Sequence, residues 1–184
     1  MSTTATTLAV IVLVLIVIAA VTTAIGRRRR SVELRRRFGP EYDRAVAEQP
    51  SRRAAERDLR GRAQRHDSLA LRDLDPNQRR AYADRWQRTQ AHFVEEPEAA
   101  TREADELVTQ VMADRGYPVD DFDTRAEELS VEHAETLVHY REAHEINKVN
   151  ERGQASTEQL RQALMHYRAL FADLLGERPA AGKA

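Results

Sequence analysis

The chain has 184 residues, a formal net charge of −1 and no cysteine, enough for one domain of ordinary size plus an appendage. The lack of cysteine excludes a disulfide framework, a Cys-ligated zinc or iron–sulfur site and thiol catalysis. With only 7 glycines and 6 prolines, a turn-rich all-β architecture is disfavoured and an all-α one expected.

Met1 to Gly26 carry no charged side chain, and Leu8 to Ile25 form an unbroken run of 18 residues whose only polar members are Thr22 and Thr23. At about 1.5 Å per residue such a run reaches about 27 Å, close to the hydrocarbon thickness of a bilayer. The expected element is a single transmembrane helix over 8–25, with residues 1–7 a short extracytoplasmic N-terminus. No Lys or Arg precedes it, whereas Arg27, Arg28, Arg29, Arg30, Arg35, Arg36 and Arg37 follow. Basic residues stay on the cytoplasmic side, so the chain reads as N-terminus outside, body inside. A removable signal needs the opposite order, basic residues first; a secreted protein is the alternative if the leader is nonetheless cleaved.

Residues 26–38 then form a basic juxtamembrane segment. Each arginine near an anionic leaflet gains roughly 1 kcal/mol, so the seven are candidate lipid-headgroup contacts. Nucleic acid is not an expected partner, because no aromatic interleaves these arginines before Phe38 and the charge reverses downstream. Positions 27–80 carry a net +8 and positions 81–184 a net −9, so the overall −1 is a cancellation and the two parts should attract.

Phe38-Gly39-Pro40 should end the helix leaving the membrane, since proline disfavours helical geometry in the residue before it. The region 39–72 reads as a polar stalk: a short turn over Glu41–Glu48, then a helix capped by Ser51 that runs on to Leu74. Its apolar stripe of Ala55, Leu59, Ala63 and Leu69 is thin. Such a helix needs a surface to lie on, either the acidic domain or a partner.

Large apolar residues concentrate beyond position 81, which places a small antiparallel helical bundle at 73–176. Asp75-Pro76 opens its first helix, with Tyr82, Trp86 and Phe93 on one face. After Glu96-Pro97 a second helix carries Ala100, Ala104, Leu107, Val108, Val111 and Met112, with Gly116 at its end. The acidic connector Asp120-Asp121-Phe122-Asp123 leads through a helical turn to Ser130, read as the cap of a third helix containing Ala134, Leu137, Val138 and Tyr140 and ending at Gly153. Ser156 or Thr157 caps the last, striped by Leu160, Ala163, Leu164, Tyr167, Leu170, Phe171 and Leu174. Residues 177–184 read as a flexible tail.

Six histidines raise a metal hypothesis, but His139 and His144 are five apart, no His pair has the i, i+4 spacing of a helical zinc site, and no Glu-x-x-His occurs. A site of His139 with Glu142 and Glu135 is the residual possibility; no metal or other cofactor is expected. The connector Asp120, Asp121, Asp123, Glu127 and Glu128 lacks the central glycine of a calcium loop and reads as helix capping. No phosphate-binding, dinucleotide or nucleophile-elbow fingerprint is found. One echo stands out: Leu137-Val138-His139-Tyr140-Arg141 and Leu164-Met165-His166-Tyr167-Arg168 match at an offset of 27.

The stretches Arg35 to Val46, Tyr82 to Trp86, Arg115 to Pro118, Leu160 to Ala163 and His166 to Phe171 together resemble an uncharacterised family of small single-pass membrane proteins from GC-rich Gram-positive bacteria. The resemblance implies an architecture and no catalytic residues. The expected function is a membrane-anchored helical interaction or regulatory module, with the bilayer and an unidentified protein as partners. An enzyme housed in the helical domain is the alternative. Tyr42 and Tyr117, outside the main stripes, are expected to be exposed and to mark the contact surface.

Overall fold

The structure, a computed structural model, describes residues 28–177 throughout and positions 13, 15, 18, 21, 22 and 26 of the preceding stretch. The expected span over 8–25, the N-terminus 1–7, Arg27 and most of the 177–184 tail therefore lie outside the described residues. Among the described residues, no helix is long and apolar enough to cross a membrane.

The described chain is all-helical: α1 over 28–38, α2 Pro40–Glu48, α3 Arg52–His66, α4 Pro76–His92, α5 Pro97–Arg115, α6 Phe122–Glu132, α7 Ala134–Glu151 and α8 Thr157–Leu174. Most boundaries follow from caps. Asp75 closes a capping box with Gln78 at the start of α4, and Ser156 closes one with Gln159 at the start of α8. At the end of α5 the Tyr117 N–H donates to the Met112 carbonyl and the Gly116 N–H to the Ala113 carbonyl. That paired closure needs a left-handed residue, which Gly116 supplies at φ 91°.

Three local readings are corrected. Glu41–Glu48 is no turn but part of the nine-residue helix Pro40–Glu48, because the proline fixes the first helical φ and Glu41 and Asp43 suit the first turn. The stalk helix stops at His66 instead of reaching Leu74; Asp67 to Asp75 is a non-helical connector whose Arg72 N–H donates to the Arg115 carbonyl. Ser130 is no cap. It is buried inside α6, where its hydroxyl donates to the Glu127 carbonyl; α7, the helix it was expected to cap, begins after His133 with no side-chain cap, and α6 is capped by Asp121, whose carboxylate accepts from Thr124 N–H at 2.8 Å. Ser130 has cap chemistry, but a helix already opens at Asp121, nine residues earlier, because apolar Phe122, Ala126 and Leu129 follow helical spacing behind it.

Two cores result. The larger joins α4 to α8: Trp86 stacks on Phe171 with ring centroids 4.7 Å apart, and Leu107, Val108, Val111, Leu137, Tyr140, Tyr167 and Leu170 fill the centre. α7 and α8 form its most extensive helix pair. The smaller core gathers Leu34 and Phe38 of α1, Tyr42 and Ala45 of α2, Ala55 and Leu59 of α3, and Val131 of α6. What reads as a polar stalk is thus a compact three-helix unit seated on α6, because the thin stripe of α3 is completed by the apolar end of α1.

Opposite charges seal that seat. Arg65 bonds Glu127 at 2.7 Å and Arg62 lies 3.7 Å from the same carboxylate. Arg141 of α7 grips the buried Glu41 of α2 with two nitrogens, at 3.2 and 2.9 Å.

Candidate functional site

Every described arginine of the predicted headgroup set (Arg28, Arg29, Arg30, Arg35, Arg36 and Arg37) is exposed. Their environments differ. Arg35 is spent on Asp43 at 2.6 Å and leans on the Tyr42 ring, and Arg37 reaches Asp67 at 2.8 Å. Arg28, Arg29, Arg30 and Arg36 make no ion pair among the described residues. The set therefore divides into two structural arginines and four whose charge is available.

The fold adds members that linear reading did not supply. α3 runs beside α1, and a surface groove between them is lined by Arg28, Arg30, Arg52, Arg53, Arg57 and Arg60, with Glu56, Ser31 and Val32. Arg53, Arg57 and Arg60 project from the solvent face of α3, one helical turn or less apart, and none pairs with a described carboxylate. Glu56 is the one acidic member, and it is engaged. Its Oε1 accepts from the Ser31 hydroxyl, the Tyr42 hydroxyl at 2.9 Å and Arg52 Nε at 3.1 Å. These donors hold the Glu56 carboxyl below its usual range although partial burial pushes it the other way. The same pair raises the Arg52 guanidinium further, through its bonds to the Tyr42 hydroxyl and Glu56. The groove thus presents six guanidinium groups against one neutralised carboxylate, with Ser51 capping α3 at the same end.

The sequence carries these extra arginines in α3 as Arg52, Arg53, Arg57 and Arg60, where spacing alone shows only a generic polar face. Their alignment with Arg28 and Arg30 depends on the α1–α2–α3 turn, which spacing along the chain does not reveal.

Tyr42 and Tyr117 correct the expected contact surface: they are 2% and 3% exposed. Tyr42 packs in the small core while its hydroxyl ties α2 to α3. Tyr117 sits in a buried chain: its hydroxyl lies 3.2 Å from His133 Nε2, His133 Nδ1 lies 2.7 Å from Asp173 Oδ2, and the Thr136 hydroxyl donates to the same oxygen at 2.7 Å. Burial pushes the Tyr117 hydroxyl well above its ordinary range, so it stays protonated and serves as a fixed hydrogen-bonding group. This chain fastens the α6–α7 junction to the end of α8. Of the remaining histidines named from sequence, His144 stacks on Phe122 with centroids 3.6 Å apart, and His139 faces His166 across α7 and α8.

No family model, curated protein or solved structure matches the chain. The functional reading therefore stands on the residues themselves.

Proposed function

We propose that this protein is a membrane-anchored helical module, inserted with its N-terminus outside, whose α1–α3 unit lies against the anionic inner leaflet and presents the α4–α8 bundle to a cytoplasmic protein partner. The observation that carries this reading is the arginine groove directly behind the apolar segment. Arg28 is three residues beyond Ile25, at most about 11 Å of chain, so the groove falls within reach of the headgroup layer once residues 8–25 occupy the bilayer. Arginine suits this role, since its planar fork bonds phosphate oxygens bidentately. The charge division supports the orientation as well: the net +8 part is proximal to the apolar run and the net −9 part distal, so an anionic surface attracts the first and repels the second.

Reporter fusions test the topology. A C-terminal green fluorescent fusion should fluoresce in the membrane fraction and a C-terminal alkaline phosphatase fusion should be inactive. An active phosphatase would overturn the orientation, and recovery of the fluorescent fusion in the soluble fraction would overturn the anchor.

A further inference from the structure

We propose that His139, Glu142 and His166 form a binding site for a first-row divalent cation of the zinc class, on the outer face of the α7–α8 hairpin. His139 Nδ1 lies 3.1 Å from His166 Nδ1, His166 Nε2 lies 3.2 Å from Glu142 Oε2, and His139 Nδ1 lies 3.9 Å from that same oxygen. One ligand atom from each of the three falls within 4.8 Å of the others. Around a tetrahedral zinc with bonds of about 2.0–2.1 Å, ligand atoms sit about 3.4 Å apart; a single ion takes one nitrogen of His166, so side-chain rotation must draw the set in from within 4.8 Å to that spacing.

The hairpin explains why these residues meet. His139 precedes Gly153 by 14 residues and His166 follows it by 13, so antiparallel folding at that glycine brings the two to the same level. They are the matching histidines of the repeated Leu-x-His-Tyr-Arg segment, and the next pair, Tyr140 and Tyr167, meets edge to face inside the core at 6.1 Å. The tyrosines thereby fix the register that holds the histidines together. Glu142 is on the same face of α7 as His139, three residues on. Linear spacing within one helix could not show this arrangement, which is why the histidine pattern argued against a metal.

The donor chemistry selects the ion. Two imidazole nitrogens and one carboxylate suit zinc and its neighbours, whereas calcium and magnesium prefer oxygen alone. The three side chains are 46%, 53% and 26% exposed, so an ion reaches them from solvent without any opening of the bundle. Glu135, one turn before His139, lines the adjoining groove with His139 and Arg168. Three protein ligands otherwise leave a position for water. The site is independent of the membrane reading.

The test is zinc titration of the full chain in detergent after chelator treatment, followed by calorimetry and by the visible absorption of cobalt as a substitute. One zinc per chain should bind. His139→Ala and His166→Ala should each weaken it about tenfold or more, Glu142→Gln should weaken it, and His92→Ala, at a half-buried histidine that also has carboxylate neighbours, should leave it unchanged. A readout that needs no variant is histidine acylation by diethylpyrocarbonate, followed by mass spectrometry: zinc should protect His139 and His166. Absence of saturable zinc binding, unchanged affinity in the His139→Ala/His166→Ala double variant, or equal acylation of both histidines with and without zinc would each overturn the proposal.

Discussion

One of the contacts between the α1–α3 unit and the bundle can be probed at a single residue, Arg141. Its guanidinium supplies both partners of the Glu41 carboxylate, whose side chain is only 4% exposed, while that of Arg141 is 18% exposed. Arg141→Met keeps the apolar stem and removes the charge, leaving Glu41 buried and uncompensated. Such a loss costs about 3–5 kcal/mol, because the carboxylate keeps its desolvation penalty without its ion pair. Glu41→Gln/Arg141→Met together removes both charges and should recover most of this, ending within about 1 kcal/mol of the parent. An exposed pair such as Arg161 with Glu158, both more than half exposed, should leave the denaturation midpoint unmoved when Arg161 is truncated. The assay is chemical denaturation of the full chain in detergent, followed by circular dichroism. An Arg141→Met variant within about 1 kcal/mol of the parent would refute the reasoning that this buried pair contributes to the seat between α2 and α7.

Much of the fold was legible because its determinants are local. Asp75-Pro76, Ser156 and Gly116 each fix a helix end through bonds to neighbours in sequence, and the stripe from Leu160 to Leu174 specifies a buried face without reference to its partner. The errors arose where a long-range fact decided. Ser130 has the chemistry of a cap, yet Asp121 caps and the helix runs through Ser130 because Ala126 and Leu129 are needed in the core. Tyr42 and Tyr117 fall outside the main stripes, but Phe38 and Leu59 enclose the first and the His133–Asp173 pair anchors the second. The arginine groove and the His139–His166 pair were half visible, as residues without neighbours. Only the α1–α3 turn and the Gly153 hairpin bring their members together.

Further outcomes follow from individual residues. Gly116→Ala should destabilise by about 1–3 kcal/mol in thermal melts, since a Cβ at φ 91° would lie 2.8 Å from the Ala70 carbonyl oxygen and that backbone cannot easily move away. His144, half-buried on Phe122 and facing Asp105, Arg125, Glu145 and Lys148, has its imidazole pushed below the ordinary value by burial. A base depressed in the folded state stabilises above its unfolded pKa of about 6.5 and loses that contribution as pH falls. His144→Phe, which keeps the stack, should therefore flatten the decline in melting temperature below that pH, and an unchanged profile would count against it. Burial lifts the Asp105 carboxyl, which faces Arg125, Tyr167, His144 and Glu151. A raised carboxylate contributes stability at low pH and loses it as pH rises through the folded value. The melting temperature of Asp105→Asn relative to the parent should accordingly increase from acid to neutral pH; a constant difference would contradict the assignment.

The most direct test of the central claim is hydrogen exchange of the full chain in nanodiscs with and without anionic lipid. Anionic lipid should slow exchange in residues 28–38 and 52–60, and Arg53→Gln/Arg57→Gln/Arg60→Gln, which removes about 3 kcal/mol of headgroup attraction, should abolish most of the effect at α3. High salt should weaken the protection in the parent, because exposed charges are screened within about 8 Å at physiological ionic strength. Exchange in both segments that is indifferent to lipid charge would contradict the account.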